Sequence, residues 1–142
     1  MTTSHVRACR AAPRAIVSVQ GAALAQGVAA MLRAEGWDVM LAETGALLES
    51  QLASWLLWGG RSPADLLVLD ARMHSMEGMH LLLALERVGR SIPAVVVRCR
   101  EAELGAARPI QGVAAMAGAE LPVITASVRA LSPRHEALPR AS

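Results

Sequence analysis

Three short stretches of this chain are apolar at nearly every position: Ala15 to Val19 (AIVSV), Leu66 to Leu69 (LLVL) and Ala94 to Val97 (AVVV). An amphipathic helix or a half-exposed strand would break such stretches with polar residues at regular intervals. Short, continuous apolar runs rich in Val, Ile and Leu and bounded by turn residues instead describe strands buried on both faces. Strands of that kind belong to parallel sheets, because each crossover connection lays a helix over the sheet.

The segments between the runs have helical spacing. Leu24, Val28, Met31 and Leu32 recur within Ala22 to Ala34, with Glu35-Gly36 as a stop. Trp37 to Ala42 then reads as a second strand. Thr44 can cap a helix from Gly45 to Trp58 that ends at Gly59-Gly60. A further helix is expected from Gly78 to Val88, ended by Gly89. After the AVVV run, a short helix from Ile110 to Ala117 and a weak fifth strand at Pro122 to Thr125 are expected. Pro133 and Pro139 limit any later helix to Arg134 to Leu138. The alternation predicts a doubly wound α/β domain with right-handed crossovers. Functional crevices in such sheets lie beyond the carboxyl ends of the strands. Candidate positions are therefore Gln20-Gly21, Ala42 to Thr44, Asp70 to Glu77, Arg98 to Arg100 and Thr125-Ala126.

Composition limits the chemistry. The chain has 142 residues, a formal charge of +2 and 54% hydrophobic residues, so it is long enough to bury a core. It has three Trp and no Phe or Tyr, which makes that core aliphatic. All fourteen basic residues are Arg, so any mechanism that needs a lysine ammonium is excluded. Asp occurs only at positions 38, 65 and 70, and no acid precedes Glu35. Cys9 and Cys99 are isolated, without metal-binding or disulfide spacing. No apolar run reaches the roughly 18–20 residues of a membrane span. Residues 1–13 read as a disordered basic tail, 14–131 as the folded domain and 132–142 as a C-terminal tail. The absence of a secretory apolar segment places the expected location in the cytoplasm.

The segment from Ala64 to Val97 carries a specific pattern: an apolar strand, Asp70, then Met73, Met76-Glu77-Gly78, a helix, Ile92-Pro93 and another apolar strand. It resembles the receiver domains of bacterial two-component response regulators. Ala34 to Val39 and Gly118-Ala119-Glu120 add weaker matches, and the resemblance covers about residues 14–131. It implies a flavodoxin-like (βα)5 fold, a five-stranded parallel sheet of order 2-1-3-4-5, and Asp70 as the candidate phosphoacceptor.

A working receiver adds two acids after the first strand, which help to hold Mg²⁺. It also places a Thr or Ser after the fourth strand and a Lys after the fifth. Phosphoryl transfer needs them, since it depends on positioning and on neutralising oxygen charge. Here the acidic pair falls on Val19, Gln20 or Gly21, the Thr/Ser position on Arg98, and the Lys position on Thr125. None supplies the expected group, so the site is expected to be degenerate, with no tight Mg²⁺ site and no cofactor. Arg98 is open to two readings: a structural ion pair with Asp70, or a substitute contact for phosphate oxygens.

The resemblance then implies a non-enzymatic pseudo-receiver, working without phosphorylation as a protein interaction module. Its partner would be a histidine kinase or a downstream signalling protein. A homodimer through the family's fourth helix, fifth strand and fifth helix is also expected, with Ile110, Val113 and Met116 on that face. A receiver phosphorylated on Asp70, or a flavodoxin-like domain holding a small molecule, are the alternatives. The Met73 to His80 stretch holds three Met and two His but matches no metal-ligand spacing. Of Trp55 and Trp58, one is expected in the core and the other is open to a partner role. Arg87, Arg90, Arg98, Arg100 and Arg108 lack accompanying stacking aromatics, so no nucleic-acid binding is expected.

Overall fold

The computed structural model describes residues 12–72, 76–99 and 112–131; for 76–81 it describes the backbone. The expected terminal tails, residues Met73 to Ser75 and residues Arg100 to Gln111 lie outside these residues. The Met-rich stretch has no described side chains.

Five parallel strands form one sheet in the order β2-β1-β3-β4-β5. They are β1 (Arg14–Ser18), β2 (Asp38–Leu41), β3 (Leu66–Asp70), β4 (Ala94–Val97) and β5 (Val113–Ala115). The helices among the described residues are α1 (Ala22–Ala34), α2 (Gly45–Trp58), α3 (Met76–Arg87) and α4 (Leu121–Leu131). This is the flavodoxin-like order expected from the sequence.

The uninterrupted apolar runs find their explanation in two cores. Along β3, Leu67 and Leu69 point to one face and Leu66 and Val68 to the other; β4 alternates in the same way. On the first face Leu48 and Leu52 of α2 and Leu82 and Leu85 of α3 close over Ile16, Leu67 and Val96. On the second, Val28 and Leu32 of α1 pack with Ile124 and Val128 of α4 over Val17, Val68 and Val95. Every residue of β3 is buried, Asp70 included. Trp55 packs partly buried against the first core, whereas Trp58 is exposed.

The C-terminal third corrects two expectations. Val113 to Ala115, assigned above to a helix, is β5, paired in parallel with β4. Pro122 to Thr125, assigned to the fifth strand, is the first half of α4. Ala-rich β5 has little intrinsic strand preference and is held by its hydrogen-bonded neighbour, including the Met116 N–H bond to the Val96 carbonyl. Pro122 is compatible with the first turn of a helix, where its missing N–H costs nothing. Leu121, Ile124, Val128 and Leu131 share the inward face of that helix at spacings of three and four. Gly118-Ala119-Glu120 accordingly follows β5 rather than preceding it.

Candidate functional site

The central strand delivers Asp70 to the carboxyl edge of the sheet, where its side chain is fully buried. A buried carboxylate is tolerated only when its charge and lone pairs are satisfied. Three donors do this. The backbone N–H of Gln20 donates to Oδ2 at 2.8 Å, and that of Arg72 to Oδ1 at 2.9 Å. The Arg98 guanidinium donates through Nη1 to Oδ2, forming an ion pair.

Strand register explains the pairing. Asp70 lies opposite Val97 of β4, so the residue after Val97 emerges beside the carboxylate. That residue is Arg98, whose φ of 58° places it in the left-handed region. The conformation costs a non-glycine residue about 1–2 kcal/mol. Contacts on both sides of the residue accompany it: its N–H donates to the Gly118 carbonyl at 3.4 Å, while Nη1 also donates to the Gln20 carbonyl at 3.1 Å. Gln20 thus gives its N–H to Asp70 and its carbonyl to Arg98, closing a ring of β1, β3 and β4 ends. Gly21, at φ 102°, makes the sharp turn from β1 into α1 beside this ring.

The sequence-derived site residues divide in two. Asp70, Arg98 and Gln20 meet directly. Val19 is buried in the second core, and Gly21 is an exposed turn residue. Thr125 does not reach the site: it lies within α4, and its hydroxyl donates to the Leu121 carbonyl at 2.9 Å. The positions beyond β5 are Met116 and Ala117, neither of which carries a polar side chain. Sequence reasoning missed the Gln20 and Arg72 N–H donors, because a backbone amide leaves no residue-type signature. The family's Asp-to-Met spacing does, however, mark the turn that contains Arg72. Among the described residues no group of three or more His, Cys, Asp or Glu side chains could hold a metal ion. No described helix is long and apolar enough to cross a membrane.

The sequence matches no protein-family model and no curated protein. Several solved structures do share its architecture. The N-terminal domain of a response regulator/sensory box/GGDEF 3-domain protein from Carboxydothermus hydrogenoformans has 20% identity and a TM-score of 0.54, covering 87% of this chain and 97% of that one. The signal receiver domain of a Luxo repressor protein from Vibrio parahaemolyticus has 16% identity and a TM-score of 0.59, covering 89% and 94%. A response regulator signal receiver domain from Bermanella marisrubri has 20% identity and a TM-score of 0.55, covering 83% and 99%. At such identities the likeness is one of fold, and the chain has the fold of response regulator receiver domains, with an aspartate at the end of its central strand.

Proposed function

We propose that the chain is a pseudo-receiver: a non-enzymatic protein interaction module of a bacterial, cytoplasmic two-component pathway that works without phosphorylation of Asp70. The observation that carries this reading is the Arg98 guanidinium seated on the Asp70 carboxylate. A phosphoacceptor must present a free oxygen to the incoming phosphorus, with a metal beside it to neutralise charge. Here Oδ2 already accepts from Arg98 and Gln20, and Oδ1 from Arg72.

The donor set does not suit Mg²⁺. That ion takes oxygen ligands in near-octahedral geometry, and Val19, Gln20 and Gly21 add no carboxylate to Asp70. Nor does the chain contain a lysine to contact a phosphoryl oxygen. Arg98 supplies one fixed positive charge, which balances Asp70 in its resting form. The partner on this reading is a histidine kinase or a downstream signalling protein, met through the surface rather than through phosphate chemistry.

The test is incubation with Mg²⁺ and a small phosphodonor, and separately with beryllofluoride, read by intact mass and by tryptophan fluorescence. The expected result is no adduct and no spectral change. An adduct on the native chain that disappears in Asp70→Asn overturns the reading.

A further inference from the structure

Helix α2 lacks the charged outer face of an ordinary surface helix. On its inner side Leu48 and Leu52 are buried in the first core. Its exposed residues are Ala46, Leu47, Ser50, Ser54, Leu57 and Trp58, and none of them carries a charge. Glu49, the one charged residue of the helix, is partly buried and stands outside this set. A helix without a charged side is the pattern of one that is covered all round. Yet Leu47 is 49%, Leu57 73% and Trp58 83% exposed.

The order of the exposed residues is symmetric about Leu52. Leu47 and Leu57 stand equally far from it along the helix, as do Ser50 and Ser54, and Ala46 and Trp58. Two copies of α2 running antiparallel about a two-fold axis at Leu52 therefore set Leu47 of one level with Leu57 of the other. Ser50 falls level with Ser54, two small residues that let the backbones approach at the crossing. Trp58 falls level with Ala46, which leaves it room. Exposed Glu43 and exposed Arg61 lie just beyond the two ends of the helix, so antiparallel copies bring unlike charges to each end. At their exposures Trp58, Leu57 and Leu47 leave roughly 400 Å² in water, and the small residues between them bring the face to roughly 550 Å². Two such faces bury roughly 1,100 Å², within the lower range of specific interfaces and above most lattice contacts.

We infer that a second copy of this chain packs antiparallel on the outer face of α2, with Leu47 against Leu57 and the Ser50–Ser54 segment at the crossing. An isologous contact needs a self-complementary face, and the symmetric order of large and small residues supplies one. No charge has to leave water to form it. A peptide of either charge finds no counter-charge on this face, and an anionic lipid surface finds no basic residue in it. The face is also held in place. The Trp55 indole N–H donates to the Gly60 carbonyl at 3.2 Å, and Arg90 Nη1 donates to the carbonyls of Trp55 and Leu56 at 3.0 and 2.9 Å, so little ordering remains to be done on binding. This is a different face from the one that the receiver resemblance implies for a homodimer. It extends the interaction-module reading without depending on Asp70, whose partners Gln20, Arg72 and Arg98 all lie outside α2.

The test is sedimentation equilibrium of the full chain between about 1 and 300 µM, with no phosphodonor present. A monomer–dimer equilibrium is expected, weakened about ten-fold or more by Trp58→Ser and by Leu57→Ser. It should be unchanged in Val123→Ser, on the other face of the sheet, with circular dichroism confirming that each variant folds. Orientation is read by oxidative cross-linking in a Cys9→Ser background, Cys99 being buried. Leu47→Cys mixed with Leu57→Cys should form a covalent dimer, and Leu57→Cys alone should not. Three results overturn the inference: a chain that stays monomeric over the whole range, a dimer indifferent to both serine substitutions in α2 or weakened by Val123→Ser, and Leu57→Cys cross-linking alone as readily as the mixture. Phosphorylation of Asp70 in the separate phosphodonor assay would remove the pseudo-receiver reading and leave this result standing.

Discussion

Asp70 and Arg98 form an ion pair whose two members stand in different surroundings. The Asp70 side chain is wholly buried, while the Arg98 side chain is 22% exposed. Losing one partner therefore costs differently from losing the other. A buried charge left without its counter-ion is strongly penalised, whereas a guanidinium at the rim can be taken up by water.

The first prediction follows from that asymmetry. Arg98→Ala should destabilise the fold by about 2–4 kcal/mol, and Asp70→Asn by only about 1–2 kcal/mol. Arg98→Gly, which relieves the left-handed backbone, should recover about 1 kcal/mol relative to Arg98→Ala. Urea unfolding of the three variants measures all of this. Equal losses for Arg98→Ala and Asp70→Asn would show that the difference in burial between the two partners does not set the cost.

A second prediction concerns Arg90, whose guanidinium binds the last carbonyls of α2. The Trp55 carbonyl also accepts the Gly59 N–H at 2.8 Å, and a cation at this end meets the negative end of the helix dipole. Arg90→Met, which keeps much of the stem, should lower stability by about 1–2 kcal/mol. Gly59 bears on the same contact. A Cβ there would stand 3.2 Å from Arg90 Nη2, and φ is 75°, so Gly59→Ala should also destabilise. Thermal unfolding of the single and double variants checks the coupling. Strictly additive losses would mean that the two positions do not share this contact.

How much of this was readable from residues alone depends on what each segment has to bury. β1, β3 and β4 stood out because both of their faces lie in core, which leaves runs such as Leu66 to Leu69 without a polar residue. The meeting of Asp70 and Arg98 was legible for a related reason: each directly ends or follows such a run. β5 was not, because Val113-Ala114-Ala115 sits only partly buried beside one neighbour and owes its conformation to pairing. The β-branched Val123, Ile124 and Thr125 pointed to a strand, yet burial of Ile124 and Val128 against α1 and the sheet decided for helix. Tertiary packing overrode local preference at that point. Thr125 was drawn into the candidate site by the same misreading.

The helical assignment of α4 makes a third prediction, and it is the sharpest available from adjacent residues. In a strand, Val123 and Thr125 would share one face and Ile124 the other. In the helix, Ile124 is fully buried and Val123 is 45% exposed, while the Thr125 hydroxyl turns back to the Leu121 carbonyl. Ile124→Ala should therefore cost about 2–4 kcal/mol through the cavity that it leaves. Val123→Ala should change stability by less than about 1 kcal/mol, since 45% of its surface stays in water and Ala favours a helix. Thr125→Ala should fall in the same small range, because the hydroxyl bond back to the preceding turn contributes little to a helix. Denaturant unfolding of the three variants gives the ordering directly. A large loss at Val123 or Thr125 with a small one at Ile124 would return this segment to a strand and reopen Thr125 as a neighbour of Asp70.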